Sequence, residues 1–297
     1  MRSTLIRVAI VVCAAQSLAA QAPPSTDIYV VPLTVNAGRV SLGAPRNVTN
    51  RPGYDNQPAW SARGDALYFS SQRGDGQSDI WNVAVATGAQ TRVTSTSPES
   101  EYSPTLIENG AALSVVRVER DSAQRLWRFP LDGGAPSVIL PEVRRVGYHA
   151  WIDGNTLALF ILGAGRGDPA TLQIGDTRTG AARVVARNVG RCIAQIPGAN
   201  AVSYVDKALA QEWWITRYDV ATGVATQIAR TLPGVEDYAW TPGGALLAAN
   251  DAHVFEWTKS GWAEIADLSG SGVAGITRMA ASPRGDQLAF VARDKAP

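Results

Sequence analysis

Apolar and polar positions alternate in short runs along most of the chain, and the runs recur. In "PAWSARGDALYF" (58–69) an apolar strand ends at Trp60, a Gly-Asp turn follows, and a second alternating strand begins. Alternation with a period of two predicts β-strands, and turns rich in Gly, Asn and Asp tolerate the positive φ that joins antiparallel strands tightly. With Trp60 as anchor, the matching positions are Leu106 in "SPTLIENGAALSVV", Trp151 in "YHAWIDGNTLALF", Ile196 in "IAQIPGANAVSYV", Trp240 in "DYAWTPGGALLAA" and Ala281 in "MAASPRGDQLAFV". Their spacings are 46, 45, 45, 44 and 41 residues.

The other half of each unit repeats as well. "DIWNVAVATGAQTRVT" (79–94) has counterparts in "RLWRFPLDGGAPSVI", "TLQIGDTRTGAARVV" and "WITRYDVATGVATQI". Four short strands in roughly 45 residues describe a propeller blade. The two ends complete the pattern. "TDIYVVPLTVNAGRVSLGAPRNVT" reads as strands three and four of a blade, and "ITRMAASPRGDQLAFVARD" as strands one and two. Together they make one composite blade, which with five internal blades predicts an all-β, six-bladed β-propeller over residues 27–297. Residues 28–49 and 273–293 are then expected in one sheet, closing the ring without an unpaired edge.

The first twenty residues stand apart. Arg2 and Arg7 precede an apolar core from Val8 to Ala15 and a small-residue exit from Ser17 to Ala20, the layout of a secretory signal peptide. Residues 21–26 form a short linker. Val12 before Cys13 does not suit a lipid anchor, so Cys13 leaves with the signal and Cys192 has no partner within the chain. The expectation is a periplasmic or secreted protein, stable without disulfides and with no membrane span. Without Arg2 and Arg7, 25 basic side chains face 26 acidic ones, which provides no basic footprint for nucleic acid.

"QPAWSARGDALYFSSQRGDGQSDIWNV" resembles the WD-like propeller repeat of the TolB type, in which Pro-x-Trp-Ser-Pro-Asp-Gly leads into an apolar strand, an Asp-Gly loop and Asp-Ile-Tyr. Pro58, Trp60, Ser61, Gly64, Asp79 and Ile80 fall in place, as do Ser282, Pro283 and Gly285 in the last unit. The resemblance covers the propeller without TolB's N-terminal α/β domain. It implies the fold and an envelope compartment, not the Tol-Pal role.

Most repeat residues have structural work to do. Trp60, Trp151 and Trp240 are expected to fill the gaps between blades, and Asp65, Asp75, Asp79 and Asp286 to organise turns. "NVT" at Asn47 fits a glycosylation acceptor but occupies the place of "RVT" in the repeat. Of the adjacent Trp213 and Trp214, which point to opposite sides of a strand, packing between blades is the favoured role. "RGDGQSD" lacks the glutamate and helices of an EF-hand.

Candidate chemistry is sparse. Two histidines, His149 and His253, lie far apart in the repeat register and make no zinc set, and no G-x-S-x-G elbow is present. Propellers similar in repeat form oligogalacturonate lyases, but their histidine-rich metal site is not reproduced. No cofactor is expected. The loops leading into the innermost strands surround the channel at one face. They carry Tyr54, Asp55, Glu101, Tyr102, Arg145, Tyr148, His149, Arg191, Glu236, Asp237, Tyr238 and Arg278. Tyr and Arg are common anchors of binding surfaces. Two readings follow: a monomeric, non-catalytic propeller binding a protein or peptide through this rim, or a carbohydrate-active or hydrolytic enzyme with Glu101 and Glu236 as acid and base.

Overall fold

A computed structural model describes residues 24–74 and 76–293. The expected signal peptide and Asp75 lie outside them. The strands form six antiparallel sheets. Blade 1 consists of Asp55–Trp60, Ala66–Gln72, Ser78–Ala84 and Gln90–Arg92; blade 2 of Ser100–Ile107, Ala112–Val118, Gln124–Pro130 and Ser137–Ile139. Blade 3 is Val146–Trp151, Thr156–Ile161, Thr171–Asp176 and Ala181–Arg187; blade 4 is Val189–Gln195, Ala201–Leu209, Glu212–Asp219 and Ala225–Arg230. Blade 5 is Tyr238–Trp240, Leu246–Asn250, His253–Thr258 and Gly261–Asp267.

Blade 6 joins the two ends. Thr277–Ala281 and Gln287–Arg293 come from the C-terminal side, and Thr26–Asn36 pairs along Gln287–Arg293 from Thr26 opposite Arg293 to Pro32 opposite Gln287. Two short strands, Arg46–Asn47 and Arg39–Leu42, cover different parts of the far side of Thr26–Asn36. The expected composite sheet is therefore present. The first strands of the six blades touch in cyclic order, with that of blade 6 returning to that of blade 1.

Among the described residues, no blade has a core of its own. The buried apolar residues fall into six clusters, and each straddles one pair of neighbouring blades. Between blades 2 and 3, for example, Val116, Leu126 and Leu140 meet Val146, Leu157, Leu159 and Ile161. Between blade 6 and blade 1, Ile28, Val30 and Val291 meet Leu67, Phe69 and Val83. Burial at roughly 25 cal/mol per Å² of apolar surface thus stabilises interfaces, and removing one blade exposes two of them.

The three anchor tryptophans, Trp60, Trp151 and Trp240, tie these interfaces with hydrogen bonds as well as area. Each indole N–H donates to the preceding blade: Trp60 to the Ala280 carbonyl at 2.8 Å, Trp151 to Ser114 Oγ at 2.9 Å and Trp240 to Ser203 Oγ at 2.9 Å. Trp213 packs into the cluster between blades 4 and 5, with Lys207 Nζ 3.9 Å from its ring centroid. The "SARGD" and "SPRGD" turns are built alike. Ser61 Oγ donates to Asp65 Oδ1 and Ser282 Oγ to Asp286 Oδ1, both at 2.7 Å, while Gly64 and Gly285 take φ of 67° and 70°. The threonine of "NVT" accepts from the Ile28 N–H at 3.0 Å as that of "RVT" accepts from Ile80 at 2.8 Å. Asn47 donates its amide to Asp27 Oδ2 at 2.6 Å, so its Nδ2 serves the blade.

Candidate functional site: the channel mouth

The innermost strands are irregular where they begin. Pairing registers shift between Asn56 and Ala59, Tyr102 and Thr105, Val146 and Tyr148, Val189 and Ile193, and Thr277 and Ala280. Gln57, Ser103 and Arg278 sit in these bulges with φ of 58°, 53° and 47°. A bulge rotates a side chain out of the regular alternation, and a left-handed conformation at a non-glycine residue persists only where the surroundings enforce it. Gln57 and Ser103 enforce one another across blades 1 and 2, since Gln57 Oε1 accepts from the Ser103 N–H and from Ser70 Oγ, both at 2.8 Å.

These bulges converge on a central cavity of about 140 Å³. The residue three positions before each anchor lines it: Gln57, Ser103, Tyr148, Ile193, Asp237 and Arg278, one from every blade. His149, Tyr238, Arg191, Cys192 and Met279 complete the wall beside two prolines and a threonine.

Four blades are linked there by one polar lattice. Asp237 accepts from Arg278 Nη1 on Oδ1 and from Arg191 Nη2 on Oδ2, each at 2.8 Å. Arg278 Nη2 donates to the Tyr148 hydroxyl at 2.6 Å, and its guanidinium carbon lies 4.6 Å from that ring's centroid. Glu236 stands behind the lattice, accepting from the Arg191 N–H at 2.9 Å and Lys207 Nζ at 2.7 Å. Tyr54 lies within electrostatic reach of Tyr148, Arg278, Tyr102 and Arg191, and burial raises its phenol pKa.

Two titratable groups of this wall are held neutral. Burial lowers His149 to about 3, so the imidazole is neutral, and Nε2 lies 2.7 Å from Ser114 Oγ. Burial raises Cys192 to about 12, which keeps the thiol protonated and a poor nucleophile. The carboxylate in the wall, Asp237, is held by two arginines. This arrangement suits recognition by Arg, Tyr and amide groups more than acid–base work.

The twelve rim residues separate accordingly. Tyr148, His149, Arg191, Asp237, Tyr238 and Arg278 line the cavity, while Tyr54 and Tyr102 are half-buried nearby. His149 and Tyr238 occupy the same repeat position and each places one polar atom on the preceding blade, His149 Nε2 at Ser114 and the Tyr238 hydroxyl at Ser203. Asp55 and Glu101 are fully buried five positions before their anchors, where blades 3 and 6 carry Val146 and Ile276. Asp55 accepts from Ser71 Oγ at 2.5 Å and Arg51 Nη1 at 2.9 Å. Glu101 accepts from Thr94 Oγ1 at 3.0 Å and from Thr96, with Arg117 Nε at 3.4 Å. Burial raises both carboxyls above their ordinary pKa. Arg145 is exposed and lines a separate cleft with Glu142 and Arg144. Gln57, Ser103 and Met279 were not evident as candidates; the offset from the anchor, three positions for Gln57 and Ser103 and two for Met279, is the signal that finds them.

Neither a protein-family model nor a curated protein sequence matches the chain. Solved structures do. A protein described as TolB from Agrobacterium tumefaciens superposes with a TM-score of 0.69 at 14% identity, over 92% of this chain and 100% of that one. TolB from Acinetobacter baumannii gives 0.58 at 11% identity, over 90% of this chain and 64% of the other, so the chain spans somewhat less than two thirds of that protein. An oligogalacturonate lyase in complex with manganese gives 0.55 at 16% identity, over 84% of this chain and 80% of the lyase. The class is thus a six-bladed β-propeller, and within it the fold is that of the TolB propeller. The same architecture serves a lyase, so it does not by itself assign an activity.

Proposed function

We propose that the protein is an exported, non-catalytic propeller that binds a protein or peptide at its channel mouth. The observation that carries this reading is the lattice of Tyr148, Arg191, Asp237 and Arg278, which brings large polar anchors from four blades to one cavity. Such residues, held rigid before a partner arrives, lose little freedom on binding. The likeness in fold to TolB structures and the leader-like first twenty residues support an envelope location. The chain acts as a monomer in this reading, since the ring closes within one chain.

The acid–base alternative draws no support from the geometry. Glu101 is sealed among Thr94, Thr96 and Arg117, and Glu236 is occupied by Lys207 and the Arg191 N–H; neither lines the central cavity. The test is capture from envelope extracts by the immobilised mature protein, compared with Tyr148→Ala and Arg278→Ala. A partner retained by the parent and lost by both variants is expected. Retention by both, or turnover of oligosaccharides abolished by Glu236→Gln, would displace the binding reading.

A further inference from the structure

Three polar atoms on residues of the central cavity are buried without a hydrogen-bond partner: Ser103 Oγ, His149 Nδ1 and Arg191 Nε. Ser103 and His149 are only 9% and 7% exposed. Native proteins leave few such groups bare, because each costs the desolvation that a partner would offset. All three belong to residues that line one small cavity, from blades 2, 3 and 4, and a complementary group seated there would satisfy them.

Their chemistry narrows what it is. Arg191 Nε can only donate, and the Ser103 hydroxyl has a hydrogen to offer. Ser114 Oγ already accepts from Trp151 at 2.9 Å, and its own hydrogen has the choice of His149 Nε2 at 2.7 Å or the Thr105 carbonyl at 3.3 Å. On the shorter contact it leaves the imidazole hydrogen on Nδ1, a third donor. The charges agree. Arg191 and Arg278 share the single carboxylate of Asp237, Glu236 is matched by Lys207, and the wall retains one positive charge in excess. A monoanion is balanced there, whereas a dianion such as phosphate is not.

We infer that the central cavity receives one carboxylate, whose two oxygens supply the acceptors that Ser103, His149 and Arg191 lack. A volume of about 140 Å³, equal to roughly four or five waters at liquid density, admits a carboxylate with its first methylenes. Asp237 displays the same chemistry from within the chain, a carboxylate gripped by Arg191 and Arg278. The group can belong to a small free acid or to an acidic side chain of a bound peptide. The second source rests on the peptide-binding reading above, the first does not.

The experiment is calorimetric titration of the mature protein with acetate and succinate, with acetamide as control, and with end-blocked Gly-Asp-Gly against Gly-Asn-Gly. Each is repeated on Ser103→Ala, a change that removes an unbonded hydroxyl and so leaves the melting temperature level or slightly raised. Acids are expected to bind about tenfold or more better than their neutral counterparts, with Ser103→Ala weakening the acids alone by about tenfold. Binding of the aspartyl peptide supports a peptide source. Binding of free acids but not the peptide supports the carboxylate site and counts against the peptide reading. Equal binding of acid and neutral peptides overturns the carboxylate inference while leaving the mouth as a peptide site. No binding by any probe, or unchanged acid affinity in Ser103→Ala, also overturns it, and capture from extracts then decides the peptide reading separately.

Discussion

Replacing Asp237 with alanine isolates the lattice at the channel mouth. Asp237 is 7% exposed and holds two guanidinium groups at 2.8 Å. The two arginines respond differently. Arg278 has a side chain only 15% exposed, so losing the carboxylate strands a nearly buried charge, with the Tyr148 hydroxyl at 2.6 Å as its remaining named partner. Breaking a buried pair in this way costs about 3–5 kcal/mol, and the surviving bond puts this case near 3. Arg191 is 43% exposed and can return to water, so its share is at most ~1 kcal/mol. The expected total is about 3–4 kcal/mol, which for a chain of this size lowers Tm by roughly 6–8 °C. Arg191→Ala leaves Asp237 paired with Arg278 and is expected to cost no more than about 1 kcal/mol, or ~2 °C. Differential scanning calorimetry measures both, and 0.5 M salt should alter the Asp237→Ala deficit little, because the buried pair is poorly screened. An Asp237→Ala melting point within about 2 °C of the parent, or an Arg191→Ala deficit equal to it, would refute this account of the lattice.

Two further outcomes follow from the fold. Deleting residues 273–297 removes the two inner strands of blade 6 and uncovers the clusters on both its sides; aggregation or loss of the cooperative transition is expected in a thermal melt, and a soluble, cooperatively melting truncation would contradict the shared blade. Glu101 has its folded-state pKa raised by burial, so the folded protein holds its proton more tightly than the unfolded chain. Its contribution to stability is therefore greatest below the ordinary glutamate pKa and is lost as pH rises through the higher folded value. The stability of the parent relative to Glu101→Gln should fall over that window in urea titrations at stepped pH, and a flat or rising difference would show that Glu101 is not the buried acid described here.

Much of the fold was legible because each blade writes its turns and strands in local chemistry. Ser61 and Asp65, and Ser282 and Asp286, form their turns within five residues of sequence. The composite blade was legible for the same reason, since Thr49 accepts from the Ile28 N–H as Thr94 accepts from the Ile80 N–H. The site was less so. Asp55 and Glu101 read as rim acids, yet they stand in a fully buried repeat position, equivalent to Val146 and Ile276 in the clusters between blades, and only the partners Ser71, Thr94 and Thr96 reveal it. Gln57 and Ser103 face the cavity because a bulge turns them there, and a bulge breaks the strict alternation on which strand-facing arguments depend.

The most direct test of the channel mouth as a binding face is site-specific photocrosslinking in envelope extracts. A benzophenone amino acid is placed at Ile193, in the cavity wall but outside the lattice, and separately at Val224, 55% exposed on an outer turn of blade 4. The account predicts a discrete crosslinked partner from position 193 and none from position 224, with the adduct suppressed by Arg278→Ala. Crosslinks of equal yield from both positions, or from position 224 alone, would contradict it.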